Sequence, residues 1–472
     1  MPTDRDLTTG PITRAVLSVS APMSVGIFAV LSVGLADAYF LGRLGEAQLA
    51  AVGFLYPVTT AVTSLAIGLS AGATAALSQA IGRGDDRRSV ARMALHALAF
   101  AVVLGIVAGG VIWLATGPLF AALGAGREVA TEIRAYMGWW CVSFPALAAM
   151  MTVNAVFRAH GNAASAAIIM TSVAAVNVAL DPVLIYGFGS IARLGTGGAA
   201  IATGIARVLS LAAGLIWAAR RNYLSWDTAP FRGIGRSLRR IVEVGLPAAV
   251  SNAINPAGMA IVTGAVATLG ETAVAGFGAA TRVQTLALVP VLALSSGIGP
   301  VVGQNWGAAQ VGRAQRAVRF TFLLCLVYGL ALGVLLAVFA EPLSAIFASA
   351  IGDATYATTY LRWVGWTLFG YGVLVTGNAA MNARSRAVWS MGMSLSRIFV
   401  LYVPLAWIGV SVAGFAGIAA AAATANVAAA VAMVFAARAN RLWPGALGLA
   451  ERPKGTIEDA PGQLSHTGPT AG

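Results

Sequence analysis

Two aspartates stand inside apolar stretches of this 472-residue chain: Asp37 in SVGLADAYFLG and Asp181 in NVALDPVLIYG. A carboxylate held in a bilayer costs roughly 2.5–3.5 kcal/mol on insertion scales, so such residues usually have a function. Asn177 lies four residues before Asp181 and therefore shares its helical face. Pro182 removes a backbone donor and would free the carbonyl of Val178 beside that face. An acid, an amide and a carbonyl would then converge, as in the broken helices that hold ions in transporters.

Asp37 and Asp181 are predicted to lie at similar depths. Counted from Ala15 and Ala163, they fall roughly 33 and 27 Å along their helices, which is compatible with one shared cavity. Burial and a neighbouring charge both favour the protonated form of a carboxyl, which suits proton coupling. A sodium ion held by Asp37, Asn177 and Asp181 is the alternative. The structural alternatives are an Asp-Pro turn that ends the span and an ordinary interfacial aspartate at position 37.

Other polar groups give weaker signals. Thr203, in GGAAIATGIARV, is a cavity candidate, although threonine often bonds its own helix backbone. Tyr136 opens an apolar span, where an aromatic belt at the membrane surface is the usual explanation and contact with the cavity is the alternative. Asn255 and Asn378 are polar points that could line the cavity in the second half of the chain. The arginines within apolar spans, which commonly join helices, are Arg207, Arg282 and Arg397.

The elements that position these residues are membrane spans. The chain is 58% hydrophobic and only 10% charged, whereas a soluble domain needs about 25% charged residues. Apolar runs long enough to cross a bilayer recur along the whole chain. We predict twelve spans, at 15–41, 49–80, 90–116, 130–157, 162–188, 196–219, 240–268, 275–305, 317–344, 355–381, 388–411 and 414–439.

The positive charges of the chain are concentrated in alternate loops. The net charge is +13, and the arginines gather in alternate loops, at 83–92, 220–240, 313–319 and 384–386. This asymmetry follows the positive-inside rule and predicts a multi-pass plasma-membrane protein with both termini in the cytoplasm. Topology accounts for the basic residues, so no nucleic-acid partner is expected.

The two halves of the chain match each other. LGEAQLAAVGF, from Leu44, aligns with LGETAVAGFGA, from Leu269, at an offset of 225 residues. The same offset pairs Pro22 with Pro247, Gly53 with Gly278, Gly72 with Gly297, Gln79 with Gln304 and Gly82 with Gly307. Six spans in each half make the repeat parallel. We therefore predict an all-α integral membrane protein, with two six-helix bundles around a central cavity.

These patterns divide the chain into four parts. Residues 1–219 form the first lobe, 220–240 a cytoplasmic basic connector and 241–440 the second lobe. A disordered tail is expected at 441–472 because that segment is rich in Pro, Gly and Thr. Intramembrane acids belong to the first lobe alone, since Asp37 pairs at the repeat offset with Val262.

Several functional classes are disfavoured. Lys454 is the only lysine and lies in the tail, whereas a P-loop needs a lysine for nucleotide phosphates. We find no nucleophile, zinc or dinucleotide motif, and the two cysteines, Cys141 and Cys325, lie in apolar spans. A gradient-driven carrier with no organic cofactor therefore fits better than an enzyme or a pump.

The residues quoted above resemble the multidrug and toxic compound extrusion (MATE) family over about residues 12–440. The shared features are two six-helix halves, the ADAYFLGRLG end of span one, the LGE…VG start of span two, and NVALDP followed by GxxGAAIAT. The resemblance is greatest to the DNA-damage-inducible branch. It implies that Asp37, Asn177 and Asp181 couple transport to a cation, usually a proton, and that Tyr136 and Thr203 join them.

The chain departs from sodium-coupled relatives of the NorM type, which carry acids in spans seven and ten. Asn255 and Tyr371 stand at those positions, so the coupling site is expected in the first lobe, and both residues remain candidates for the cavity lining. The resemblance implies an antiporter that exports amphipathic organic cations. We expect it to act as a monomer. The alternatives are a flippase for lipid-linked oligosaccharides, which would need arginines in its cavity, and a non-transporting membrane scaffold.

Overall fold

The computed structural model describes residues 5–189, 192–225, 229–348 and 354–444. These residues are almost entirely helical, because apolar segments of this length must satisfy their backbone hydrogen bonds internally. The helices of the first half are α1 (Ile12–Gly42), α2 (Glu46–Gly82), α3 (Arg87–Ala122), α4 (Arg127–Ala159), α5 (Ala163–Tyr186) and α6 (Gly195–Arg220). Those of the second half are α7 (Ile234–Ala267), α8 (Glu271–Ala287), α9 (Val289–Gly307), α10 (Val311–Ala348), α11 (Ala354–Val364), α12 (Leu368–Ala383), α13 (Ala387–Leu395) and α14 (Val403–Ala439).

The fourteen helices correspond to the twelve predicted spans. Two of these spans consist of two helices each, and α13 and α14 together make the last two spans. α8 and α9 form one span bent by 46°. A 3-10 turn, Gly365–Thr367, joins α11 to α12. A π-helix, Ser396–Tyr402, carries α13 into α14. α14 breaks at Ala413 and Gly414, where the glycine has a φ of 58°, so spans eleven and twelve separate there.

One boundary differs from the predicted one. α7 begins at Ile234, inside the predicted connector 220–240, because the basic residues of that segment extend the helix beyond its apolar part. The predicted tail, 441–472, lies outside the described residues from position 445 onward.

The arginine-rich loops share one end of the bundle, which we call the basic end. Gln79 at the end of α2 donates from Nε2 to the carbonyl of Ala383 at 2.6 Å. Arg313 at the start of α10 donates to the carbonyls of Thr9 and Gly10 at 2.6 and 2.7 Å. The basic end is therefore also where the described N-terminal residues lie.

Glycines hold the two lobes together at the basic end in a reciprocal pattern. A Cβ on Gly82 would overlap the carbonyl oxygen of Gln304, and a Cβ on Gly307 would overlap that of Gln79. The two contacts are related by the repeat offset of 225 residues, so they form a pseudo-symmetric pair. Small residues allow membrane helices to approach this closely.

A second reciprocal pair lies deeper in the bundle. Gly72 of α2 packs on Gly245 of α7, and Gly297 of α9 packs on Ser20 of α1. Gly68, one turn beyond Gly72, meets the backbone of Ala249. α2 of the first lobe and α9 of the second are thus the helices that pack most closely against the opposite lobe.

The lobes separate toward the opposite end of the bundle. Gly53 and Gly278, another pair at the same offset, have nothing within 4 Å of an added Cβ. Within the described ranges, the hydrogen bonds and glycine contacts between the lobes lie in the half of the bundle next to the basic end. The space between the lobes therefore opens at the opposite end.

Candidate functional site

Four helices of the first lobe bring the predicted coupling residues together. α1 packs on α5, and α6 packs on both α4 and α5. Small residues permit this proximity: a Cβ on Gly26 of α1 would lie 3.1 Å from the Cα of Ala167 on α5. Asp37 on α1 therefore comes to face Asp181 on α5.

The two carboxyl groups lie within hydrogen-bonding reach of each other. Asp181 is 0% exposed to solvent, and neither of its oxygens has a described hydrogen-bond partner. Oδ1 of Asp37 is likewise buried without a partner. Two ionised carboxylates repel each other and offer no donor, so a shared proton or another cation would stabilise the pair.

Arg207 supplies the nearby positive charge. It lies on α6, close enough to Asp37 and Tyr136 for their charges to interact. Its Nη1 donates to Ser143 Oγ at 2.9 Å, and its guanidinium lies 5.7 Å from the Trp140 ring centroid. The sequence suggested only helix bonding for this arginine. The structure places it beside the acid pair.

Asn177 and Thr203 form the amide side of the site. Asn177, which is 1% exposed, donates from Nδ2 to Thr203 Oγ1 at 3.0 Å. Oδ1 of Asn177 is buried without a described partner. The threonine therefore accepts a hydrogen bond from a neighbouring helix, α5.

The structure contradicts two alternative interpretations of the sequence, an Asp-Pro turn at the end of span five and an aromatic belt at Tyr136. α5 continues through Pro182 to Tyr186, so the Asp-Pro pair is not a turn that ends the span. Tyr136 is close enough to Asp37, Asp181 and Arg207 to interact with them, so it belongs to this cluster and not to an aromatic belt.

Sequence reasoning missed a third acid, Glu132, one turn before Tyr136. Glu132 accepts from Gln48 Nε2 on α2 at 2.9 Å and from the hydroxyl of Thr196 at the start of α6. Its spacing from Tyr136, four residues on one helix, was the available signal. Glu132 thus links α2, α4 and α6, at a position farther from the basic end than the acid pair.

The second lobe has a polar cluster of different composition, centred on Arg397. Its Nη2 donates to Asn426 Oδ1 at 2.9 Å, its Nε donates to the same oxygen at 3.3 Å, and its Nη1 donates to Asn255 Oδ1 at 3.3 Å. The guanidinium stacks 5.0 Å from the ring centroid of Tyr371. Asn255 and Tyr371 therefore both contact Arg397, a common neighbour that the sequence did not indicate.

Asn378 lies in another place. It is buried, and its Nδ2 donates to Ser394 Oγ at 3.0 Å, while Ser394 bonds Ser251 at 2.6 Å. This chain of bonds joins α7, α12 and α13. Asn378 therefore joins helices inside the lobe and is not among the residues around Arg397.

The sequence profile of the MatE family matches residues 22–183 and again residues 247–408. The chain belongs to the MATE family. The two matched segments start 225 residues apart, which agrees with the duplication seen in the sequence. Family members are transporters and not enzymes, and this MATE protein is a multi-pass membrane protein.

Relatives and solved structures agree with this assignment. The MATE chain is 34% identical to a protein described as an FAD transporter of Shewanella oneidensis, over 87% of this chain and 91% of the relative. It resembles the Vibrio cholerae MATE transporter VcmN in its bent form, with a TM-score of 0.85 and 28% identity over 91% of this chain and 97% of the other. It also resembles an outward-facing multidrug resistance MATE transporter of the MOP superfamily, with a TM-score of 0.87 and 25% identity over 92% and 97%.

Proposed function

We propose that this transporter is a proton-coupled antiporter whose coupling site is the acid pair of the first lobe. The observation that carries the proposal is the buried contact between Asp37 and Asp181. Their two negative charges exceed the single positive charge of Arg207, so one further cation balances the site. A proton fits because it can lie between two carboxyl oxygens within hydrogen-bonding reach. A sodium ion held by Asp37, Asn177 and Asp181 is the competing interpretation.

The separation of the lobes supports alternating access. If the basic end faces the cytoplasm, the cavity in this structure opens to the outside. Protons would then reach Asp37 from the outer side of the membrane, which is usually acidic and positive relative to the cytoplasm. One charge crossing the membrane potential gains about 2.3 kcal/mol per 100 mV, which can drive export of a second solute.

Amphipathic organic cations are the first substrate class we propose. The unneutralised charge of the acid pair attracts a cation, and the apolar helices around it suit aromatic compounds. Competition between substrate and proton for the same charge would couple the two fluxes. On this proposal the protein acts as a monomer in the plasma membrane, without an organic cofactor or a nucleic-acid partner.

A flavin nucleotide is the second candidate substrate. It is favoured by the similarity to the protein described as an FAD transporter. It is also favoured by the buried cation Arg397 in the second lobe, which an organic cation would not approach.

The deciding experiment uses purified protein in liposomes with imposed proton or sodium gradients. We expect efflux of a cationic dye when the proton gradient is present, no requirement for ATP, and no response to sodium alone. Efflux that depends on the sodium gradient and not on the proton gradient would instead support a sodium site at Asp37, Asn177 and Asp181. The absence of any gradient-driven export would favour a lipid-linked oligosaccharide flippase.

Orientation is tested by labelling single cysteines in cells. Both natural cysteines are buried, so they serve as a silent background. Ser89→Cys, at the basic end, should react only from the cytoplasm, and Glu128→Cys, at the opposite end, only from outside. The reverse pattern would contradict an outward opening of the cavity.

A further inference from the structure

Arg397 is a buried positive charge with no carboxylate beside it among the described residues. It is 8% exposed, and the side chains that interact with it are Asn255, Asn426 and tyrosines. The described acids of this lobe are engaged or distant: Glu243 pairs with Arg239 and Glu341 pairs with Arg362. Glu271 is exposed at the start of α8.

A buried charge of this kind is costly unless something compensates for it. Amide oxygens satisfy hydrogen bonds but carry no full charge, so the lobe keeps a net positive charge in its interior. A guanidinium has five N–H donors, and three bonds are described, two of them long at 3.3 Å. Donor capacity and charge therefore both remain for an anionic group.

The local backbone marks the same position. Arg397 lies in the seven-residue π-helix Ser396–Tyr402, a rare conformation that often occurs at functional sites. Ten residues separate it from the start of α13 at Ala387, which places it about 15 Å from the basic end. That depth is near the centre of a bilayer of roughly 30 Å.

The cluster also lies at the point where the lobes separate. The glycine contact of α7 with the first lobe that lies farthest from the basic end is that of Ala249 with Gly68. Asn255 is six residues further along α7, or about 9 Å beyond that contact. Asn255 and Tyr371 are both partly exposed, so the cluster is not sealed within the lobe.

We propose that the Arg397 cluster is the binding site for the phosphate of an aromatic organic phosphate, with flavin nucleotides as its first members. This inference rests on the proposed export function and names a substrate class for it. The guanidinium supplies paired donors that match phosphate geometry. Asn255 offers an amide beside it, and the ring of Tyr371 offers a surface for stacking.

The test compares two ligands that differ only by a phosphate. Riboflavin and riboflavin 5′-phosphate share the ring system, and flavin fluorescence reports their binding to the purified, detergent-solubilised full chain without any gradient. We expect the parent to bind the phosphate form about tenfold more tightly, as one charge-assisted contact supports. Equal affinities for the two ligands in the parent would overturn the proposal.

Two variants of the cluster separate charge from folding. Arg397→Gln should lose the preference for the phosphate form and bind the two ligands with equal affinity. Asn255→Asp places a carboxylate against Nη1 without changing size, so it should also lose the preference while the arginine gains a counter-ion and the fold is kept. A retained phosphate preference in Asn255→Asp contradicts the proposal even if Arg397→Gln fails to fold.

A matched control lies in the same lobe. Arg362 pairs with Glu341 at 2.8 Å and is 48% exposed, so Arg362→Gln should keep the parental preference. Because binding is measured without a gradient, the outcome is independent of coupling. Failure of proton-driven export would refute the proposed function and leave this site standing, whereas loss of the phosphate preference in Arg362→Gln would refute the site alone.

Discussion

Each lobe buries one arginine near its polar cluster, and the two arginines have different neighbours. Arg207 interacts with Asp37 and Tyr136, so its charge is more than balanced by the acid pair. Arg397 has amides and tyrosines around it, so its charge is not balanced. A duplicated fold has thus produced an acidic cluster in one lobe and a cationic cluster in the other. The repeat preserves the helices and their glycine contacts, while the chemistry of the interior has diverged.

Removing the acid pair should give the largest effect. Asp181→Asn and Asp37→Asn keep the size of each side chain and remove the charge that binds the cation. Each should abolish uphill dye transport in liposomes while the protein stays folded, because losing a costly buried charge seldom unfolds a helix bundle. The double variant should be little worse than either single one, since residues that act as a unit are non-additive.

The control for this prediction comes from the other lobe. Flavin phosphate binding should be unchanged in Asp181→Asn, because its site is assigned to Arg397. Dye binding in the parent should weaken as the medium is acidified, since protons and dye compete, and this dependence should disappear in the variant. Uphill transport by Asp181→Asn at the parental rate would mean that the acid pair does not couple.

The second prediction concerns the glycine contacts between the lobes. Gly82→Ala and Gly307→Ala add a methyl group where a carbonyl oxygen already lies, and overpacking of this kind costs about 1–3 kcal/mol. We expect the closed basic end to loosen, with lower melting temperatures and slower transport. Gly53→Ala and Gly278→Ala, at positions with open space around them, are the matched controls. Equal effects at both sets of glycines would show that the reciprocal contacts do not hold the lobes together.

The third prediction addresses the lining of the second lobe. Asn255→Ala and Tyr371→Ala should change substrate range or affinity by about tenfold, as loss of a charged hydrogen bond or a stacking surface does. Coupling, measured as the dependence of transport on the proton gradient, should be retained. Loss of gradient-driven transport with intact substrate binding in either variant would assign coupling to the second lobe.

The fold and the first-lobe site were largely predictable from the sequence. Apolar length determines the spans, and an aspartate within a span is costly enough to signal a function. Similar depths in two parallel spans made Asp37 and Asp181 compatible with one shared cavity, and their contact became evident from the structure. The duplication followed from coincidences at a single offset, which the twofold match to the family profile repeats.

The second-lobe site was less predictable because its signal is the absence of an acidic partner of Arg397 among the described residues. An arginine within a span does not show whether a carboxylate lies beside it, since the partner comes from another helix. The π-helix around Arg397 and the break at Gly414 depend on tertiary packing and not on local composition. Asn255 and Tyr371 were named from their alignment, and their common neighbour Arg397 became evident only from the structure.

The smallest effect should come from the amide side of the acid pair. Asn177→Ala removes the bond from Nδ2 to Thr203 at 3.0 Å, and Thr203→Val removes the same bond from the other helix. One neutral hydrogen bond contributes about 1 kcal/mol, so each variant should lower transport by only about fivefold and shift its pH dependence. Because both substitutions delete one interaction, the double variant should match the single ones. The opposite outcome would be an Asn177→Ala variant as damaging as Asp181→Asn, together with a harmless Thr203→Val variant. The unpartnered oxygen of Asn177 would then have to be a direct ligand of the coupling cation. Such a result would favour sodium, because a proton between two carboxyl groups needs no amide oxygen. Dye efflux from liposomes under a proton gradient, repeated under a sodium gradient, measures all three variants on one scale.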